Sequence, residues 1–136
     1  MNHLAIFTDS AIKDIFSGKK TIDSRFSLKR IPPFARVSSG DLVYIKKSGG
    51  KIMGQFKVKS VIFFDNLNEE LFTKIKRDYN KYIKADKYFW NDHLESKYGT
   101  LMFISEVQPV LFPIYIEKRD RRPWVLLDDL KVVRHG

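Results

Sequence analysis

Most of the chemistry legible in this chain lies in nine consecutive residues, Ser17-Gly18-Lys19-Lys20-Thr21-Ile22-Asp23-Ser24-Arg25. Three cations, one anion and three hydroxyls stand together there. Lys20 and Arg25 are suited to hold a phosphate or a carbonyl oxygen, and Asp23 to orient them through charge-assisted hydrogen bonds. A desolvated Lys20 is instead suited to act as a base, because burial lowers a lysine pKa. If the site is catalytic, Lys20 and Asp23 are its candidates. The same residues also fit an internal ion network that ties a helix end to a sheet. Asp23 and Arg25 share a face of an extended strand and can pair directly. Lys20 and Asp23 point to opposite faces if the strand is regular, and meet only through a bulge or where the strand begins at Lys20.

A second cationic knot is Lys118-Arg119-Asp120-Arg121-Arg122-Pro123-Trp124. Arginine forks grip phosphates and a tryptophan can stack on a base, which makes Arg119, Arg121, Arg122 and Trp124 nucleic-acid candidates. Internal pairing of the arginines with Asp120 or Glu117, and a core role for Trp124, are the structural alternatives. With the first cluster and its flank, the candidate nucleic-acid contacts also include Lys19, Lys20, Arg25, Lys29, Arg30 and Arg36. Phe89-Trp90 and Tyr98 read as core aromatics rather than stacking platforms.

Other chemistries are excluded. Residues 17–21 resemble the end of a P-loop only superficially. The leading glycine position is Lys13, Lys20 stands where Ser or Thr is required, and the helix precedes the strand. The three histidines, His3, His93 and His135, have no metal-ligand spacing, and the chain has no cysteine, so neither a metal site nor a cofactor is expected. A Gly-x-Ser-x-Gly nucleophile turn is absent.

The formal charge of +9 is uneven. Residues 18–51 hold nine Lys or Arg against Asp23 and Asp41, which is +7, whereas residues 57–97 hold nine bases and seven acids. Charge concentrated on one segment suggests an anionic partner, RNA or another nucleic acid. The length suits one domain, 1–136, and 43% hydrophobic content suits a folded core. No apolar run approaches a membrane span and no signal peptide is apparent, so a cytoplasmic protein without a membrane partner is expected.

The elements that must position these residues follow from periodicity. Residues 3–7 read as a strand, Thr8 or Asp9 caps a short helix, and Gly18 ends it. Ala11, Ile12, Ile15 and Phe16 form its apolar face, with Lys13 and Asp14 opposite. A strand over 20–26 follows, then a loop around Pro32-Pro33 and a strand at 42–45. A turn at Ser48-Gly49-Gly50 leads into a long alternating strand over 52–62. Asn68 caps the main helix, whose stripe is Leu71, Phe72, Ile75, Tyr79 and Ile83, with Leu67 and Phe72 as a staple. A short helix over 87–95 follows. Strands are expected at 101–107 and 111–116, separated by Pro109, the second one bulged or at an edge because of Pro113. Edge strands are expected at 125–127 and 130–133. About six strands with mostly antiparallel pairing give an α+β fold, a small mixed β-barrel with flanking helices.

Taken together, the helix running into Ser17–Arg25, the Pro-Pro-Phe loop, Gly40-Asp41-x-Val43-Tyr44, Ser48-Gly49-Gly50 and the strand through Gly54 resemble the ASCH domain family of the PUA-like superfamily. The resemblance is clearest over residues 11–62. It implies a PUA-like β-barrel with a cleft beside the helix-to-strand junction, and RNA binding as the main function. It also implies an enzymatic alternative, amide hydrolysis of an N4-acylated cytidine, a modified nucleoside, or ribonuclease action. The hydrolytic branch uses a Lys, a Thr three residues later and a Glu from the following helical region. Lys20 matches the Lys, Asp23 stands at the Thr position, and Glu69 and Glu70 read as first-turn helix residues rather than as the third member.

Overall fold

The long strand around which the molecule is built follows from strict alternation. In the computed structural model Ile52, Gly54, Phe56 and Val58 are buried, while Lys57 and Lys59 face solvent. The structure describes residues 1–117, 122–127 and 131–134, without the side chains of 113–117 and 131–134. The strands are β1 (Asn2–Phe7), β2 (Ile22–Ser27), β3 (Leu42–Lys47), β4 (Ile52–Asp65), β5 (Tyr98–Glu117), β6 (Trp124–Leu126) and β7 (Lys131–Arg134). The helices are α1 (Asp9–Phe16), α2 (Glu69–Ile83) and α3 (Lys87–Asp92).

One curled sheet runs β2-β5-β4-β3-β1-β6, with β7 paired to β5 beyond the bulge of that strand. Its two end strands, β2 and β6, are brought face to face without joining. The Arg25 Nη2 atom of β2 donates to the Ile6 carbonyl of β1 at 3.1 Å across the gap. Pairing is antiparallel except between β1 and β3, which run parallel from Asn2↔Leu42 to Phe7↔Lys47. The 34 intervening residues provide the long crossover that parallel pairing requires.

Local signals set the helices. Thr8 and Asn68 accept the N–H of Ala11 and Leu71 as N-caps, and Gly18 leaves α1 at a φ of +80°. Phe72, Ile75 and Ile83 carry α2 onto the sheet, with Leu67 in the same cluster. The apolar core has two main parts. One fills the curl of the sheet beneath α1, around Phe56, Val43, Ile15 and Trp124. The other lies between the outer face of β2 and β5 and the helices α2 and α3, around Phe26, Phe72 and Trp90.

Three expectations need correction. The second strand starts at Ile22 rather than Lys20, because the Lys20 N–H bonds the Asp14 carbonyl (2.9 Å) and the Thr21 N–H bonds the Tyr82 carbonyl (3.0 Å). Helix termini thus claim the peptide groups that a sheet would otherwise use. The strands expected at 101–107 and 111–116 are one strand, β5, which passes through Pro109 and Pro113. The ladder accommodates this by slipping: Pro109 stays paired opposite Gly54, but Ile52 pairs with Ile114, so the bulge between them takes up Pro113. Seven strands are present among the described residues rather than six.

Gly54 sits where that slip meets α1. A Cβ there would lie 2.5 Å from Phe16 Cζ and 2.6 Å from the Gln108 carbonyl oxygen. The ring can swing away, but the carbonyl belongs to the sheet. Gly54→Ala is therefore expected to lower stability by about 1–3 kcal/mol, seen as a lower urea midpoint with an unchanged m-value; an unchanged midpoint contradicts this packing.

Candidate functional site

Lys20, standing just before the strand, is freed from strand alternation, and its side chain turns back toward Asp23. Its Nζ lies 3.6 Å from Asp23 Oδ1 and donates to the Ile83 carbonyl at 2.7 Å. Arg25, two residues beyond Asp23 on the same face, donates Nε to Asp23 Oδ2 at 2.8 Å. Lys20 and Asp23 are 7% and 4% exposed, so this is a buried cation–anion–cation row. Burial lowers the Lys20 pKa below the ordinary 10.5. Asp23, and more weakly Asp14, oppose that shift, and Arg25 adds to it.

The Arg25 guanidinium is held from both sides. Its Cζ is 4.8 Å from the Phe7 ring centre and 5.2 Å from that of Trp124. Trp124 is fixed in turn: its Nε1 donates to His3 Nδ1 at 3.1 Å, which leaves His3 Nε2 to donate to Asp41 Oδ2 at 2.8 Å. Indole has only a donor, so the tautomer of His3 follows from its neighbour. Asp41 also accepts the Ser38 N–H (2.9 Å) and the terminal amine of Met1 (3.2 Å). Burial alone would raise its pKa, but these donors outweigh burial and hold it below the ordinary carboxylate value.

The row opens into a cleft of about 680 Å³ at the gap between the sheet ends. The cleft lies on the border of the two cores. Phe7 and Trp124 come from one, Phe26, Ile83 and Phe89 from the other, and the loop from Ile31 to Phe34 forms a third wall. The Ser24 and Thr100 side chains also line it, and neither hydroxyl has a protein partner.

The candidate residues distribute themselves clearly. Lys20, Asp23, Arg25 and Trp124 converge on the cleft. Trp124 is only 2% exposed, so it supports Arg25 from behind rather than offering a free face to a base. Lys19, Lys29, Arg30 and Arg36 are exposed. Lys29 and Arg30 lie between the cleft-lining residues Ser27 and Ile31, on the rim, where the Arg30 guanidinium covers the Phe34 ring at 5.2 Å. Arg122 is exposed beside Pro123, which lines the cleft; Arg119 and Arg121 lie outside the described residues. Glu69 and Glu70 are not part of the lining; its carboxylates are Asp14, Asp23 and Asp86. Asp14, expected on the polar face of α1, looks into the cleft. Trp90 is core, as its spacing implied, whereas Phe89 is part of the lining. Among the described residues no three His, Asp or Glu side chains gather as a metal site, and no helix is long and apolar enough to cross a membrane.

Two pH dependences follow. Asp41 has a lowered folded pKa, so the stability it contributes is complete above the ordinary value of 3.8 and is lost as pH falls through the lowered one. Asp41→Asn is expected to unfold at a lower denaturant concentration at pH 7, and to show a shallower loss of stability below pH of about 4. Equal acid sensitivity of variant and parent in urea titrations contradicts this. The slope has the same sign for Lys20, whose folded pKa lies below 10.5, although here it is the charged form that the fold disfavours. Between those two values the unfolded chain binds more protons, so stability rises with pH. Lys20→Met is expected to flatten that rise while remaining folded; the same slope in both proteins rules out a depressed Lys20.

No protein-family model matches the sequence, and no curated protein matches it. Solved structures do. A single-substitution variant of the ASCH protein from Zymomonas mobilis superposes with a TM-score of 0.71 at 17% identity, over 93% of this chain and 87% of that one. The ASCH protein itself superposes at 0.67 and 15% over the same shares. A hypothetical protein matches at 0.52 and 21%, over 81% of this chain and 100% of its own. The curled sheet with its flanking helices thus has the fold of these ASCH proteins, an α+β architecture.

Proposed function

We propose that the chain is an RNA-binding domain that takes one nucleobase into the cleft and holds the flanking phosphates on its basic rim. The observation that carries this reading is the division of the cations. Lys20 and Arg25 inside the cleft are tied to Asp23 and to main-chain carbonyls, while Lys19, Lys29, Arg30 and Arg36 stand exposed outside it. The volume falls within the roughly 300–1,000 Å³ of small-ligand sites, and the apolar walls Phe7, Phe26, Phe34 and Phe89 suit a flat ring. Lys20 has one ammonium hydrogen beyond those directed at Ile83 and Asp23, and it suits a base carbonyl. The resemblance to ASCH domains in the sequence supports the same ligand class, and the shared fold is consistent with that resemblance.

Hydrolysis of an N4-acylated cytidine is the second reading, favoured by the lowered pKa of the buried Lys20. Against it, both Asp23 oxygens are already engaged by cations, and neither Glu69 nor Glu70 reaches the cleft.

Fluorescence anisotropy with labelled single-stranded RNA separates the roles. Affinity is expected to fall steeply with salt, with a log–log slope near −0.7 per phosphate neutralised. Lys29→Glu, Arg30→Glu and Arg36→Glu together are expected to weaken binding at least about tenfold and to reduce that slope. Lys20→Met is expected to weaken binding with the slope unchanged, because its partner is a base rather than a phosphate. Binding indifferent to salt and to these changes refutes the reading. Release of cytidine from its acylated form, abolished in Lys20→Met, establishes the second reading instead.

A further inference from the structure

The ionisable groups lining the cleft, His93 aside, are Lys20, Arg25 and Lys84 against Asp14, Asp23 and Asp86, so their charges cancel. They differ in how they are satisfied. Asp23 pairs with both Lys20 and Arg25, so that row keeps one net positive charge, and Asp86 caps α3 by accepting the Phe89 N–H at 2.9 Å. Asp14 is different. Its main-chain carbonyl accepts the Lys20 N–H and the Ser17 hydroxyl, but its half-buried carboxylate has no hydrogen-bond or ion-pair partner among the described residues. It is nonetheless part of the cleft wall and close enough to Lys20 to act on its charge.

A carboxylate in that state has two consequences for a ligand. It accepts hydrogen bonds only, so it fits a group that presents hydroxyls. It also repels an anion at short range, where the low-dielectric walls preserve the field. The anchored cations, Lys20 and Arg25, already share the Asp23 carboxylate and donate to main-chain carbonyls, so most of their donors are spent before a phosphate enters.

Building on the nucleobase reading above, we infer that Asp14 is a specificity-determining residue of the cleft: its carboxylate accepts the ribose hydroxyls of the bound unit and turns phosphate away from the interior. The interior therefore selects an uncharged ribonucleoside moiety, and every phosphate of a longer ligand stays on the rim. A hydroxyl donor at the sugar 2′ position is what separates RNA from DNA at such a point.

Binding of the four ribonucleosides, their 2′-deoxy forms and their 5′-monophosphates, followed by amide chemical-shift changes in the full chain, tests this. For the nucleoside bound best, the deoxy form and the monophosphate are each expected to bind at least about fivefold more weakly. Asp14→Asn keeps the shape, removes the charge and breaks no bond of the fold, so it is expected to erase most of the monophosphate penalty. Asp14→Ala is expected to erase the ribose preference as well. Asp65→Asn, on an exposed residue outside the cleft, is expected to change neither. If nucleosides bind but the monophosphate binds equally well, or Asp14→Asn leaves the penalty intact, the role of Asp14 is wrong and the nucleobase reading stands. If no nucleoside shifts any cleft resonance, the nucleobase reading itself fails, and this inference with it.

Discussion

One buried carboxylate holds the walls of the cleft together. Asp23 lies between Lys20 and Arg25, and each cation reaches on to a carbonyl of a different element: Lys20 to Ile83 at the end of α2, and Arg25 to Ile6 in β1. Through that single anion, α2, β1 and β2 are fixed relative to one another around the cleft. Three charges are taken from water to do this, and such an arrangement gains little net stability. Removing one member, however, strands a buried charge at a cost of about 3–5 kcal/mol. The row is better understood as fixing geometry than as supplying stability.

The cleft exists because the sheet curls without closing. A closed barrel would have joined β2 to its far edge and filled the gap with side chains. Here the gap is spanned by one arginine, packed between Phe7 and Trp124 and braced from behind by the His3–Asp41 pair. Two walls of the cleft come from the apolar cores, and those sides are stiff. Its rim differs in kind: it is a loop carrying exposed Leu28, Lys29, Arg30 and Ile31. Stiff walls favour discrimination by shape, and an exposed cationic rim favours capture from solution.

The elements with strong local signals were readable in advance: the caps Thr8 and Asn68, the left-handed Gly18, the stripe of α2 and the alternation of β4. Asp23 and Arg25 fall on one face by simple periodicity, and they pair. Other features depend on partners distant in the chain. Lys20 leaves the strand because Asp14 and Tyr82 carbonyls take the peptide groups around it, and no window of residues near position 20 contains Tyr82. Pro109 and Pro113 suggest two strands, yet Pro109 stays paired opposite Gly54 and the bulge before Ile114 absorbs Pro113, so β5 is continuous. The parallel pairing of β1 with β3 leaves no local trace. Asp14 was assigned to the solvent face of α1 because helical periodicity separates apolar from polar, and a polar cleft looks the same as water to that pattern.

The placement of β1 has a consequence for how the molecule comes into being. It pairs with β3 on one side and β6 on the other, where His3 meets Leu126 and Ala5 meets Trp124. Neither neighbour is close in sequence, so β1 finds its place only through long-range pairing. Until Trp124 has been synthesised and docked, Arg25 lacks one of its two aromatic walls and His3 lacks the donor that sets its tautomer. Contacts of such long sequence separation slow folding, because loop closure must be completed before they form. The cleft is therefore complete only once segments that lie at opposite ends of the described chain have joined.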